Sequence, residues 1–408
     1  MTNPQTNMTN RQLFLSHVAQ TSPEPIALEI TKAKGVKMWD VNGKEYIDLI
    51  AGFSVANIGH GNEAVIKAVQ HQAEQYMHLI VYGEFIETPQ VAYAQMLTQN
   101  LPANLNSVYF TNSGAEATEG AMKLAKRVTG RSKIIACNKA YHGSTQGALS
   151  VMGDEYWRNA FRPLLPDVYH LDYGSEELIN AIDGETCCVI VETVQAESGV
   201  NKPPAGWLAA IRQACDQHGA LLIFDEIQAG FGRTGTLWAF EQYGVVPDIL
   251  LLGKALGGGM PLGAFIANKN LMATLTYNPV LGHITTFGGH PVSCAAGLAA
   301  MQFLLESDLI KEVQKKEALF VSMLMHPLIY TVNSAGLWLA VQFDSFETCK
   351  KVIDRCIKKG VVTDWFLFAP NCLRIAPPLI ITEEEIRHCC QVIVESCEEI
   401  CSQLVISQ

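Results

Sequence analysis

Lys254 stands in LLLGKALGGGMPLG, followed by alanine, leucine, glycine and proline, so no carboxylate adjoins its amine in sequence. An amine in apolar surroundings holds its proton less firmly, which is what a lysine needs in order to form a Schiff base with a carbonyl. The plain alternative is a lysine on a surface loop. Gly257 to Gly259 would let the backbone approach a flat ligand closely. Asp225 closes the apolar stretch LLIFDEI. A buried carboxylate needs a partner, and a protonated pyridine nitrogen is a suitable one: Asp225 would keep the ring of pyridoxal phosphate an electron sink. Its alternative is an aspartate capping a turn at a strand end. Gln228 follows within one turn and is spaced to hydrogen-bond the phenolic oxygen of such a ring.

Two further segments suit the same ligand. In TNSGAEATEG a strand ends, Ser113-Gly114-Ala115 turns and a helix begins. The unpaired N–H groups and dipole of a helix start make an anion site fit for a phosphate, although Ser-Gly is also an ordinary helix cap. This turn lacks both the GxGxxG of dinucleotide folds and the GxxxxGK[ST] of P-loops, which disfavours nucleotides. Tyr141-His142-Gly143 follows SKIIACN, where an aromatic at a strand end either stacks on a planar ring or packs in the core. CxxC and HExxH spacings are missing, so no metal site is expected.

The elements that must position these residues alternate. From about Asn62 to about Ser307, apolar runs such as SVYFTNS, SKIIACN, CCVIVETV, ALLIFDEI, DILLLG and GAFIAN alternate with helical stretches, predicting an α/β domain with a mainly parallel sheet. PAGWLAAIRQACDQHG reads as a helix opened by prolines and closed by Gly219. The first fifty residues read as short strands around the hairpin Asn42-Gly43. The last hundred mix helices with the strands GLWLAVQF and CLRIAPPL. The expected division is a large domain over 51–307 and one smaller discontinuous α+β domain built from 1–50 and 308–408.

At 408 residues, 49% hydrophobic and 17% charged, the chain can bury a large core. A net charge of -11 without a long Lys/Arg run makes neither nucleic acid nor a membrane surface an expected partner. The polar N-terminal residues do not read as a secretory signal, and no apolar run reaches the roughly 20 residues of a membrane span. Twelve scattered cysteines fit reduced thiols in a cytoplasm.

Taken together, TNSGAEATEGAMKLAKR, KAYHGSTQGALS, VIVETVQAESGV, LLIFDEIQAGFGRTGTLWAFEQYGVVPDILLLGKALGGGMPLGAFIA and TTFGGHPVSCAAGLAAM resemble the class III (omega-amino-acid) aminotransferases, which use pyridoxal 5'-phosphate. The likeness runs from WDVNGKEYIDLIAG to LRIAPPL. It implies fold type I of the pyridoxal-phosphate transferases and a homodimer with shared sites. It further implies Lys254 as Schiff-base lysine and proton shuttle, Asp225 at the pyridine nitrogen and Gln228 near the phenolic oxygen. Ser113, Gly114 and Ala115 would hold the phosphate, Tyr141 would stack on the ring with His142 beside it, and Thr286 would reach the phosphate of the neighbouring subunit.

For the substrate, the resemblance implies Arg374 as the carboxylate grip and Glu197 as its movable partner; a surface ion pair is the alternative for Arg374. Two positions depart from the family. Ser144 stands where acetylornithine, ornithine and 4-aminobutyrate aminotransferases commonly carry an arginine, and Phe53 where ornithine aminotransferases tend to carry a tyrosine. Thr285 offers a further hydroxyl. The expected activity is amino transfer from an omega-amino acid or related amine to a 2-oxo acid. Decarboxylases, racemases and an aminomutase share the pattern, and a non-catalytic protein keeping the fold is a third reading.

Overall fold

The structure is a computed structural model describing residues 8–406, with side chains described through Ser402. Fifteen strands are found among the described residues: β1 (Ile30–Lys34), β2 (Lys37–Asp40), β3 (Glu45–Asp48), β4 (Ser107–Thr111), β5 (Lys133–Cys137), β6 (Val168–Leu171), β7 (Thr186–Glu192), β8 (Leu221–Asp225), β9 (Ile249–Leu252), β10 (Gly263–Ala267), β11 (Thr331–Ser334), β12 (Leu339–Gln342), β13 (Val361–Val362), β14 (Trp365–Phe366) and β15 (Ala369–Ile375). The central sheet has the order β4-β10-β9-β8-β7-β5-β6. All its strands run one way except β10, which is antiparallel to both neighbours. The sheet is therefore mainly parallel, as the pattern of apolar runs predicts.

Burial explains why these strands read as continuous apolar runs. Every residue of β7 and β10 is buried, because helices cover both faces and leave no solvent side on which a polar alternation would be favoured. The helix Gly114–Thr129 lies close enough that a Cβ on Gly120 would sit 2.3 Å from the Phe265 ring. Two smaller sheets flank the central one, ordered β1-β2-β3-β13 and β11-β12-β15-β14. In the first, β3 pairs in parallel with β13, more than three hundred residues along the chain. Among the described residues no single helix is long and apolar enough to cross a membrane.

Three local details differ from the sequence reading. The helix expected to open on prolines begins at Trp207; Pro203 and Pro204 lie before it, and Gly206 at φ 77° supplies the left-handed residue that turns the chain in. A short helix, Asn10–His17, precedes the strands, started by a reciprocal cap between Thr9 and Gln12. Ala51, Gly52, Phe53 and Ser54 all have positive φ, from 49° to 64°. A left-handed run of this kind costs about 1–2 kcal/mol per non-glycine residue. Asp48 anchors its start by accepting from Ile50 N and Ala51 N at 2.8 and 2.9 Å, and pairs with His60 at 2.8 Å.

Gly263, the first residue of β10, carries the sheet against the Ser113 turn: a Cβ there would lie 2.1 Å from the Ser113 carbonyl oxygen. Backbone cannot yield as a side-chain tip can, so Gly263→Ala is expected to destabilise the protein by about 1–3 kcal/mol. A thermal melt would show the lower midpoint, and an unchanged midpoint would mean that the turn can retreat freely.

Candidate active site

Parallel strands bring their loops out at one edge, and a crevice at the carboxyl ends of such strands is the usual ligand site of an open α/β sheet. Here β4 ends before Ser113, β5 before Tyr141, β7 at Glu192, β8 at Asp225 and β9 just before Lys254. A cavity at this edge, about 260 Å³, is lined by Ser113, Gly114, Ala115, Tyr141, His142, Ser144, Glu192, Glu197, Asp225, Gln228, Lys254 and Trp338, among others.

Asp225 is 5% exposed, and its Oδ2 lies 2.7 Å from His142 Nδ1. Its Oδ1 accepts from Ile227 N at 2.9 Å. Burial opposes a charge on His142, but the hydrogen bond and charge of Asp225 prevail and raise its pKa. One β-bridge away, Glu192 pairs in register with Asp225. Its carboxylate accepts from Tyr141 N at 3.2 Å and Ala196 N at 2.8 Å. Burial drives its pKa up to about 7 against the opposing pull of His142. Sequence reasoning passes over Glu192, although it ends an apolar strand just as Asp225 does; that shared position was the available signal.

Lys254 follows β9 in a 3-10 turn and has a left-handed φ of 49°, a conformation a non-glycine residue adopts only where its surroundings force it. Its Nζ donates to Gln228 Oε1 at 2.7 Å. Burial lowers the amine to about 8, with Glu197 pulling back upward and Arg374 adding to the drop. Ser113 caps the helix Gly114–Thr129, accepting from Glu116 N at 3.2 Å. The N–H groups of Gly114 and Ala115 lie in the first turn, where no intrahelical acceptor exists. Gly143, at φ 125°, packs so closely that a Cβ would fall 2.6 Å from that of Ala115. Tyr141 OH lies 3.2 Å from Ser144 Oγ, and Glu119 holds the following loop through Thr145 Oγ1 and Gly147 N at 2.7 and 2.8 Å.

Arg374 is 1% exposed, which removes the surface-pair alternative. It lies behind Glu197, gripped by it in a two-pronged pair of 2.8 and 2.9 Å. A second carboxylate, Asp364, takes its Nε at 2.9 Å. The guanidinium is also within 5.0 Å of the Phe53 ring and 4.3 Å of the Phe366 ring. Asp364 and Trp338 escape sequence reasoning, since nothing local distinguishes them from ordinary loop and core residues. Thr285 and Thr286 do not join the others: Thr285 Oγ1 is bound by Asn112 Nδ2 and Gly288 N at 3.2 Å, and Thr286 is exposed.

Unmet bonding capacity tests whether the pocket fits pyridoxal phosphate. Gln228 Nε2, His142 Nε2 and Trp338 Nε1 are buried without a hydrogen-bond partner among the described residues, and such atoms normally have one. A lysine of lowered pKa, a buried carboxylate and a helix start, all lining the same cavity, complete a donor set that fits the group.

The capture of free pyridoxal phosphate by cofactor-free protein should track the neutral fraction of the Lys254 amine. Its rate is expected to rise with pH, reach half its plateau near 8 and level off above. Stopped-flow absorbance would show this, whereas a rate still climbing at pH 10 would place the amine at its ordinary value. Glu197→Gln removes a charge that holds the pKa up, so the midpoint should move lower.

Comparison with known proteins follows the same lines. The family described as Aminotransferase class-III matches residues 18–396. An acetylornithine aminotransferase from Methanopyrus kandleri is 40% identical over 375 residues, covering 91% of this chain and 94% of that protein. An ornithine aminotransferase from Staphylococcus aureus is 37% identical over 375 residues, covering 89% and 92%. Among solved structures, the ornithine aminotransferase of Toxoplasma gondii, described with partial occupancy of pyridoxal phosphate at its active site, superposes with a TM-score of 0.89 at 31% identity, covering 96% of this chain and 93% of that one.

Proposed function

The chain belongs to the class III aminotransferases, enzymes of pyridoxal phosphate, and on that premise we propose how its own residues carry out amino transfer. The donor is an omega-amino acid or related amine and the acceptor a 2-oxo acid. The observation that carries the residue assignments is the convergence of Lys254, Asp225 and the Ser113–Ala115 helix start on one cavity. When bound, the cofactor supplies a carbonyl carbon for amine exchange and a protonated ring that withdraws electrons from the substrate carbon.

Lys254 Nζ is the group that takes and returns the proton, since a pKa of about 8 lets it do both near neutral pH. Gln228 holds that amine in place and has an amide N–H left for the phenolic oxygen. Asp225 keeps the ring nitrogen protonated, oriented by His142 and by Ile227 N. Gly114, Ala115 and Ser113 hold the phosphate, and Tyr141 stacks on the ring. At the substrate end, Glu197 and Arg374 form the pair that two different substrates exploit, with the Phe53 ring against the guanidinium and Ser144 on the same cavity. Ser144 gives a hydroxyl but no second cation, so the charge-assisted clamp that an arginine would provide there is missing from this chain.

Donor identity is read by mixing the cofactor-loaded enzyme with a panel of amines and amino acids and following the visible band of the bound cofactor. A donor is expected to abolish the band and a 2-oxo acid to restore it. Carbon dioxide release or racemised product without restoration would favour the decarboxylase and racemase readings.

A homodimer with shared sites belongs to the same proposal. Exposed apolar side chains, Met77, Phe85, Ile86, Val280 and Phe287, support it, and the His78 and Phe287 rings, 4.7 Å apart, bring the Met77 segment to the one that holds Thr286. We further assign 1–50 and 308–408 to one small domain, of which 1–7 and 407–408 lie outside the described residues, supported by the pairing of β3 with β13, and a reducing compartment such as the cytoplasm, supported by twelve unpaired cysteines. If Thr286 serves the neighbouring subunit, then Thr286→Glu and Lys254→Ala are each inactive alone, but their mixed dimers hold one intact site. Random re-association of equal amounts should restore about a quarter of the wild-type sites. No recovery after confirmed subunit exchange would assign Thr286 to its own subunit.

A further inference from the structure

Glu192 lines the cavity, 6% exposed, and takes no part in the proton and amine transfers assigned to Lys254 and Asp225. Its two carboxylate oxygens bind different loops. Oε1 accepts from Tyr141 N at 3.2 Å, in the loop after β5, and Oε2 accepts from Ala196 N at 2.8 Å, in the loop after β7.

Both loops are held by further contacts, so a displacement at either N–H is passed on. Gln195 and Asn201 exchange two backbone hydrogen bonds of 2.9 Å, closing the second loop into a short hairpin that carries Glu197. Within it Ser198 Oγ donates to Gln195 Oε1 at 2.7 Å, and Gln195 Nε2 reaches back to the carbonyl of Asn138 at 2.7 Å. Ala196 adjoins Glu197, whose carboxylate pairs with Arg374. In the first loop Tyr141 adjoins His142, which holds Asp225 at 2.7 Å, and Gly143 packs against Ala115 at the helix start. One carboxylate therefore joins the loop at the ring end of the cavity to the loop at the substrate end.

This tie depends on charge. An ionised carboxylate offers an acceptor to each N–H, whereas a protonated one keeps one good acceptor and turns the other oxygen into a hydroxyl. The titratable groups within its field are His142 after β5, Asp225 closing β8, Lys254 after β9, Cys137 in β5 and Tyr173 after β6. Burial raises Glu192 to about 7, with His142 and the two N–H groups opposing the rise, so both forms are populated near neutral pH.

Resting on the aminotransferase reading above, we propose that Glu192 is a positioning residue: by joining Tyr141 N to Ala196 N it fixes the cofactor's stacking partner and the Glu197–Arg374 pair relative to each other, so that retention of the cofactor and order in the substrate loop rise and fall together.

The test uses cofactor-loaded wild type and Glu192→Gln, whose amide keeps one acceptor and presents N–H to the other donor at every pH. Two quantities are measured at pH 6 and pH 8.5. One is the dissociation constant of pyridoxal phosphate, by equilibrium dialysis; the other is amide protection over 138–144 and 193–201, by deuterium exchange corrected for the intrinsic effect of pH. At pH 8.5 the variant is expected to hold the cofactor about tenfold more weakly and to show about tenfold lower protection in both segments, as loss of a charge-assisted hydrogen bond implies. At pH 6 wild type itself carries a protonated Glu192, and both differences should shrink to about twofold. A cofactor affinity unaltered by the substitution, a loss equal at both pH values, or protection lost in one segment alone would overturn the proposal and leave Glu192 as a packing residue. Should Glu192→Gln fail to fold, wild type decides: protection in both segments should fall together between pH 8.5 and pH 6, and unchanged protection contradicts the tie. A protein that takes up no pyridoxal phosphate would sink the cofactor reading, while wild-type exchange still decides the role of Glu192.

Discussion

A carboxylate delivered to the end of a buried parallel strand has to find compensation, and the site is organised around that requirement. β7 and β8 end side by side in Glu192 and Asp225. Neither can be ionised cheaply away from water. Asp225 is matched by His142 and a backbone N–H, and Glu192 by two backbone N–H groups and by a raised pKa. The loops that supply this compensation are the same loops that line the cavity. Truncating one partner of such a buried pair typically costs about 3–5 kcal/mol, so the pair constrains Tyr141-His142-Gly143 as firmly as packing does.

Compensation at the opposite end is shared between cations. Lys254 and Arg374 share the field of Glu197, which raises the first and pairs with the second. Burial is the stronger influence on Lys254 and leaves it with a proton it can give up near neutrality. The arginine is held from behind by its own hairpin and by the faces of Phe53 and Phe366. The strained left-handed run Ala51–Ser54 matters for this reason: it presents Phe53 to Arg374, and Asp48 fixes the start of the run. Glu197 is itself held to this wall by Leu367 N on its carboxylate and Phe368 N on its carbonyl, both at 2.9 Å.

Much of this was legible in the sequence because the signals were local. Apolar runs closed by a carboxylate, a serine-glycine turn opening a helix, and a lysine free of acidic neighbours all depend on residues adjacent in the chain. The helix Gly114–Thr129 and the strand holding Asp225 follow from such patterns. Glu192 shares the Asp225 signature, a carboxylate closing an apolar strand, and local pattern alone does not tell which of the two faces a ligand. Asp364 and Trp338 were not legible. Trp338 matters through the long-range pairing of β12 with β15, and Asp364 through the register of the β14–β15 hairpin that sets it against Arg374; neither register is fixed by the residues' own neighbours in sequence. The left-handed run was hidden for a related reason: only the buried Asp48, with its backbone contacts, makes that conformation tolerable.

The central claim is that Asp225 keeps the cofactor's ring nitrogen protonated. Nitrogen NMR on enzyme loaded with pyridoxal phosphate labelled at that atom tests it most directly. A protonated nitrogen in the wild type, lost in Asp225→Ala at the same pH, is the predicted result. An unprotonated nitrogen in the wild type, or one that stays protonated after the substitution, would contradict the account.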